Sequence, residues 1–141
     1  MSAILESDIV ISPVSDAIGA EVQGLDLSQP IDAETASMLG GLWNAHLVLL
    51  FRDQKLKPQQ FVDFSRTFGS LDETPVDKDG KMMVDGIPEL LIISNVEVNG
   101  EPLGSLGSLE CEWHTDMSYN SEPPKGSGLY ALEVPDKGGD T

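Results

Sequence analysis

The chain has 141 residues and carries 8 Lys and Arg against 24 Asp and Glu, a formal net charge of −16. That charge repels phosphate backbones and anionic lipid surfaces, which argues against nucleic acid and membranes as partners. The length suits a single domain, and the 40% hydrophobic content with two tryptophans is typical of a folded globular chain.

The first residues, "MSAILESDIVISPV", contain acids but no Lys or Arg before their short apolar run. They therefore lack the basic region of a signal peptide. No apolar run in the sequence approaches the ~20 residues that a membrane span needs. The single cysteine, Cys111, excludes an intramolecular disulfide and fits a reducing compartment. We expect a cytoplasmic protein.

In chain order, the pattern first predicts two short strands, within residues 8–14 and 19–29. Asp32 is placed to cap a helix through "AETASMLGGLWNAH", where apolar residues recur at helical spacing although two glycines weaken the middle. The apolar segment 47–53 then predicts a buried strand. Residues 57–69 predict a second helix.

The second helix has clear local signals at both ends. Pro58 occupies the first turn, where proline is favoured, and Gly69 follows the last helical residue, where glycine is favoured. Phe61, Phe64 and Phe68 lie on one stripe, which predicts that they pack in the core.

The second half of the chain predicts two further strands. Residues 89–96 indicate a core strand, and residues 126–135 indicate another. Between them, the glycine-rich stretch 97–110 contains an Asn99-Gly100 turn signal. We expect this stretch to form a mobile flap beside residues 111–120.

A His-x-Asp pair occurs in "CEWHTDMSYN", residues 111–120. If this segment is a strand, His114 and Asp116 project from the same face, so an imidazole and a carboxylate lie side by side. These are two of the three groups in the 2-His-1-carboxylate triad that holds non-haem Fe(II). Taken alone, the pair also fits a surface histidine beside an acid.

Neighbouring residues have competing interpretations. Glu112 shares the parity of His114 and is either a further carboxylate ligand or a solvated side chain. Cys111, Trp113 and Tyr119 have the opposite parity, which favours packing. His46, the other histidine, has helical spacing with apolar residues, which favours a packed histidine over a ligand.

Longer motifs surround the pair. "WHTDMSY" is followed by "PP", "LYALEVP" and "GGDT", and is preceded by "GAEVQGLDLSQPI" and "VLLFRDQKLKPQQFVDFSRTFG". In this order the motifs resemble the taurine/2,4-dichlorophenoxyacetate dioxygenase family of Fe(II)- and 2-oxoglutarate-dependent oxygenases. The resemblance covers nearly the whole chain.

The resemblance implies a role for individual residues. His114 and Asp116 would be the first two iron ligands, and the hydroxyl of Thr141 would bind a carboxylate of the cosubstrate 2-oxoglutarate. Two substrate-contacting positions of the taurine-type members hold Thr74 and Glu110 here, and a carboxylate at Glu110 would favour an amine or hydroxyl over an anionic group. The distal histidine and the cosubstrate-binding arginine of the family have no counterpart in the sequence.

The implied fold is α+β, an incomplete double-stranded β-helix of the jelly-roll, cupin-like type with flanking N-terminal helices. Residues 1–141 would be the N-terminal portion of one dioxygenase domain, truncated at the C-terminus and inactive alone. The implied activity is hydroxylation of a small organic substrate with O₂ and 2-oxoglutarate at Fe(II). The alternative is a non-catalytic, weak metal-binding or interaction module, and unpaired strand edges would favour a homo-oligomer.

Overall fold

The structure, a computed structural model, describes residues 9–74, 82–106, 114–134 and 136–137. The contacts between Cα atoms divide the chain into two compact units, Met1–Leu90 and Leu91–Thr141. Within the described ranges, no helix combines the length and the apolar character that a bilayer span requires.

The first unit contains a three-stranded mixed sheet. Strand β1, Val10–Pro13, runs antiparallel to β2, Ala20–Gln23, and β2 runs parallel to β3, Leu49–Leu50. Alternate residues of β2, Ala20 and Val22, are buried, as the two-residue period of a strand with one covered face requires. Both strands predicted from residues 8–29 are therefore confirmed.

Helix α1, Ala33–His46, connects the two parallel strands. Its N-terminus is capped by Asp32, whose Oδ1 accepts a hydrogen bond from the backbone N–H of Thr35 at 2.8 Å. The helix ends where Leu47 adopts a left-handed conformation with φ of 66°. The predicted helix and its cap are confirmed, and the glycine pair does not interrupt it.

Helix α2, Pro58–Ser65, continues into a 3₁₀ turn, Arg66–Phe68, which ends at Gly69. At its start, the backbone N–H of Lys57 donates to Oε1 of Gln60 at 2.8 Å. The predicted helix and its boundaries are therefore confirmed.

The hydrophobic core of the first unit forms between the sheet and the two helices. Phe64 and Phe68 are partly buried against it, whereas the fully buried residue of α2 is Val62. The prediction that Phe61 belongs to the core with the other two is not supported, because Phe61 is outside the core cluster of the described residues. The buried cluster consists of Val22, Leu25, Leu27 and Leu39.

The strand predicted over residues 47–53 is shorter and more exposed than expected. Only Leu49–Leu50 pair with β2, and the Leu47 side chain is 62% exposed. The left-handed conformation of Leu47 and the φ of 58° at Asp53 cannot continue an extended strand, so both ends of the segment turn away.

The second unit contains two small two-stranded sheets. Strand β4, Ile93–Ser94, pairs in parallel with β7, Ser105–Leu106, and strands β5, Glu97–Val98, and β6, Glu101–Pro102, form an antiparallel hairpin. Asn99 and Gly100 connect the hairpin with φ values of 56° and 82°, the positive angles of a tight hairpin turn. Up to residue 106, the predicted flap thus contains a hairpin and a short strand, and residues 107–110 lie outside the described residues.

One strand prediction holds only in part, and another is wrong for the described residues. Within 89–96 only two residues form a strand, and the Ile93 side chain is 55% exposed. Residues 126–134 form no strand, and the Leu132 side chain is 82% exposed. An apolar segment becomes a core strand only when neighbouring strands supply hydrogen bonds and cover its faces, and the described residues supply few such neighbours.

Candidate metal centre

His114 lies just before a turn and Asp116 lies at its start, so neither residue belongs to the strand that their spacing suggested. The backbone N–H of Asn120 donates to the carbonyl of Met117 at 3.0 Å, and Met117 has a φ of 50°. The turn covers residues 116–119, so it includes Asp116 and the pair is not part of a paired strand.

The two side chains nevertheless converge. Nε2 of His114 lies 3.1 Å from Oδ1 of Asp116, a hydrogen-bonding distance. Both side chains are more than half exposed, at 61% and 56%. An imidazole nitrogen and a carboxylate oxygen thus lie next to each other in exposed side chains.

This geometry fits a shared metal ion. Two ligand atoms that each bind a metal at about 2.1 Å, at right angles to one another, lie about 3 Å apart. The separation of 3.1 Å between Nε2 and Oδ1 agrees with that value. Imidazole and carboxylate are also two of the donor types that hold non-haem Fe(II).

A third protein ligand is missing from the described part of the chain. No group of three or more His, Cys, Asp or Glu side chains there is arranged to hold a metal ion. Glu112, whose parity suggested a further ligand, lies outside the described residues, as do Cys111 and Trp113.

A serine that no sequence motif singled out also contacts the pair. The hydroxyl of Ser127 donates a hydrogen bond to Oδ2 of Asp116 at 2.9 Å. The sequence offered no spacing signal for this contact, because the two residues are eleven apart and Ser127 lies in a segment that reads as a strand.

Of the other three residues that the resemblance implied, the structure describes only Thr74. Thr141 and Glu110 lie outside the described residues. Thr74 is partly buried, and its hydroxyl donates to the carbonyls of Pro88 at 3.0 Å and Leu90 at 3.3 Å. The structure therefore shows the hydroxyl of Thr74 engaged with backbone.

His46 and Tyr119 were both predicted to pack against other residues. His46 is half-buried at the end of α1, where its carbonyl accepts a hydrogen bond from the Gly19 N–H at 2.9 Å, which agrees with a packed role. Tyr119 is 79% exposed, so the expectation that it packs inside is wrong in this structure. The parity argument fails for Tyr119 because residues 116–119 turn.

Known proteins resemble the chain over most of its length. The family model described as taurine catabolism dioxygenase TauD, TfdA family matches residues 11–141. An alpha-ketoglutarate-dependent sulfate ester dioxygenase of Pseudomonas putida is 32% identical over 95% of this chain and 40% of its own length. An alpha-ketoglutarate-dependent 2,4-dichlorophenoxyacetate dioxygenase of Cupriavidus pinatubonensis is 29% identical over 94% of this chain and 48% of its own length.

A solved structure of a taurine dioxygenase is also similar to this chain. The crystal structure of a taurine dioxygenase from Burkholderia xenovorans is 34% identical and superposes with a TM-score of 0.51, covering 58% of this chain and 28% of that one. The chain spans less than half the length of the curated relatives described above. Because the family model matches from residue 11 to residue 141, the chain belongs to the TauD/TfdA family of dioxygenases.

Proposed function

We propose that this chain is part of an Fe(II)- and 2-oxoglutarate-dependent dioxygenase that hydroxylates a small organic substrate, and that it supplies the first two iron ligands. The observation that carries the proposal is the convergence of His114 Nε2 and Asp116 Oδ1 at 3.1 Å within the "WHTD" motif of a TauD/TfdA-family chain. The curated relatives described above are named as alpha-ketoglutarate-dependent dioxygenases.

His114 and Asp116 would hold Fe(II) through one neutral and one anionic donor. When bound, Fe(II) supplies the means to couple the oxidative decarboxylation of 2-oxoglutarate by O₂ to hydroxylation of a substrate C–H bond. His114 would bind through the lone pair of Nε2, so its ring proton must reside on Nδ1. The high exposure of both side chains leaves one side of the pair open to small molecules.

The third iron ligand and the cosubstrate-binding arginine would come from outside residues 1–141. The family's distal histidine and its cosubstrate-binding arginine have no counterpart among the two histidines and the arginines of this sequence. We place them in a further part of the protein. The Pseudomonas putida relative has room for such a part, because this chain matches only 40% of its length. Residues 1–141 would then be the N-terminal portion of one double-stranded β-helix domain.

The cosubstrate and the substrate would contact three residues of this chain. Thr141 would donate its hydroxyl to a carboxylate of 2-oxoglutarate. Glu110 and Thr74 occupy positions that taurine-type members use for their substrate, so we propose them as substrate contacts. A carboxylate at Glu110 would favour a substrate carrying an amine or hydroxyl near it.

A metal-binding or interaction module without catalysis is the competing function. The observation that favours it is the absence of a three-ligand group from the described residues. The two functions differ in one measurable property, because a non-catalytic module would bind metal without consuming 2-oxoglutarate.

The test uses the full-length protein with Fe(II), 2-oxoglutarate and O₂, and follows succinate formation together with loss of candidate substrates. We expect His114→Ala and Asp116→Ala to abolish turnover, whereas His46→Ala, at the other histidine, should retain it. Thr141→Ala should weaken 2-oxoglutarate binding by about 1 kcal/mol, the usual size of one hydrogen bond.

Two outcomes would contradict the proposal. Turnover that survives His114→Ala would remove the site from catalysis, and metal binding without any succinate would favour the non-catalytic module. Residues 1–141 alone should bind Fe(II) weakly and form no succinate, because two ligands leave most of the coordination to water. Turnover by this short chain would show that it already holds a complete triad.

A further inference from the structure

The two oxygens of the Asp116 carboxylate have different partners. Oδ1 lies 3.1 Å from Nε2 of His114, and Oδ2 accepts a hydrogen bond from the hydroxyl of Ser127 at 2.9 Å. The carboxylate is therefore fixed from both sides, with one oxygen beside the imidazole and the other tied to a separate segment.

Ser127 contacts the carboxylate from eleven residues further along the chain. Its hydrogen bond joins the turn that carries Asp116 to the segment after Gly126, so it restrains the rotation of the carboxylate about its terminal bond. That bond rotates easily in an unrestrained aspartate, because it joins sp³ and sp² carbons. A hydrogen bond to a charged acceptor is also stronger than a hydrogen bond between neutral groups.

The orientation of this carboxylate determines how many coordination positions it takes. A carboxylate that binds through both oxygens occupies two positions on a metal ion, whereas one oxygen occupies one. The facial triad keeps one side of the metal open only if each protein ligand takes a single position. A hydroxyl that holds Oδ2 favours ligation through Oδ1 alone.

We propose that Ser127 is a positioning residue that holds Asp116 for one-oxygen metal ligation beside His114. The inference rests on the proposed function, since it concerns the same metal site. Ser127 would not contact the metal or the substrate, and would act only through the carboxylate. Hydrogen-bond partners of metal ligands commonly change metal affinity or activity by about 10- to 100-fold when they are removed.

The experiment titrates the full-length protein with Co(II) as the probe, and records affinity, the Co(II) absorption spectrum and the free energy of unfolding without metal. We expect Ser127→Ala to weaken Co(II) binding by about 10-fold. The absorption bands should also shift, because a freed carboxylate changes the coordination number. Ser127→Thr keeps the hydroxyl and should retain both the affinity and the spectrum.

Ser121→Ala is the matched control, since it removes the same group from an exposed serine of the same region. The proposal is overturned if Ser127→Ala and Ser121→Ala give the same affinity and spectrum. It is also overturned if Ser127→Ala lowers the free energy of unfolding by enough to explain its weaker binding, because the serine would then have a structural role.

A second set of variants separates this inference from the proposed function. Co(II) affinity that is unchanged by His114→Ala and Asp116→Ala would overturn the metal site itself, and the inference with it. Affinity that depends on both ligands but not on Ser127 would overturn the inference alone. In an Asp116→Ala background, Ser127→Ala should have no further effect, because the group it positions is gone.

Discussion

Trp43 of helix α1 and Phe68 of the 3₁₀ turn meet edge to face, with ring centroids 5.4 Å apart and an interplanar angle of 77°. Phe68 makes a second edge-to-face contact with Phe64, at 5.6 Å. The indole Nε1 of Trp43 donates to the carbonyl of Leu47 at 3.0 Å, which fixes the ring against the end of its own helix. This aromatic cluster joins the two helical segments of the first unit.

Phe68→Ala should destabilise the protein by about 2 kcal/mol, since it removes two aromatic contacts and a partly buried ring. Chemical denaturation followed by tryptophan fluorescence measures the loss. Tyr119→Ala is the control, because that ring is 79% exposed and its loss should have little effect. Equal effects of the two substitutions would contradict the packing role of Phe68.

Asp32 should make the stability of helix α1 depend on pH. The backbone N–H of Thr35, and next its hydroxyl, hold the pKa of Asp32 below its ordinary value. A folded pKa below the unfolded one, which is about 4, means that the charged cap stabilises the protein above pH 4. This contribution is lost as the pH falls through the folded pKa.

Urea denaturation at a series of pH values tests this dependence. Asp32→Ala should be less stable than the parent at neutral pH, and the difference should shrink below pH about 4. Asp32→Asn keeps a capping oxygen but does not titrate, so its stability should change less with pH. A constant difference between parent and Asp32→Ala at all pH values would rule out the charged cap.

Gly104 should not tolerate a side chain. A Cβ at this position would lie 2.6 Å from the carbonyl oxygen of Ile92 and 3.0 Å from Cβ of Ser94, so the β4–β7 pair would have to shift. We expect Gly104→Ala to cost about 1–3 kcal/mol. Hydrogen exchange of the strand amides locates the loss, and unchanged protection would show that the strands adapt without cost.

Gly41→Ala should have the opposite effect. Gly41 is an exposed residue inside helix α1, and a Cβ there would meet nothing within 4 Å. Alanine restricts the unfolded chain more than glycine, so we expect a gain of roughly 0.5–1 kcal/mol. Thermal denaturation measures this gain, and a lowered melting temperature would be inconsistent with the open surroundings of Gly41.

Thr74→Val tests whether this residue is structural or contacts substrate. Loss of the hydrogen bonds to Pro88 and Leu90 should cost about 1 kcal/mol of stability, and Thr74→Ser should recover it. If Thr74 also binds substrate, Thr74→Val should raise KM in the full-length enzyme by more than a control of equal stability. A change in stability with no change in KM would assign Thr74 to the fold alone.

Local sequence signals determined the helices and the turns of this protein. Asp32, Pro58 and Gly69 mark helix boundaries through groups that act within one or two turns of backbone, and Asn99-Gly100 adopts the positive φ angles of its hairpin. Such signals need no partner from elsewhere in the chain. The motifs around His114 likewise indicated the family that the comparisons show.

Only the tertiary structure decided which apolar segments become strands and which side chains meet. Residues 47–53, 89–96 and 126–134 all read as strands, yet strand pairing and burial depend on neighbours that are distant in sequence. The contact between Ser127 and Asp116 also depends on the tertiary structure, since the two residues are eleven positions apart and strand periodicity did not predict the turn at Asp116. His114 and Asp116 converge although neither lies in a strand, so the spacing identified the residues while only the structure gave the distance between them.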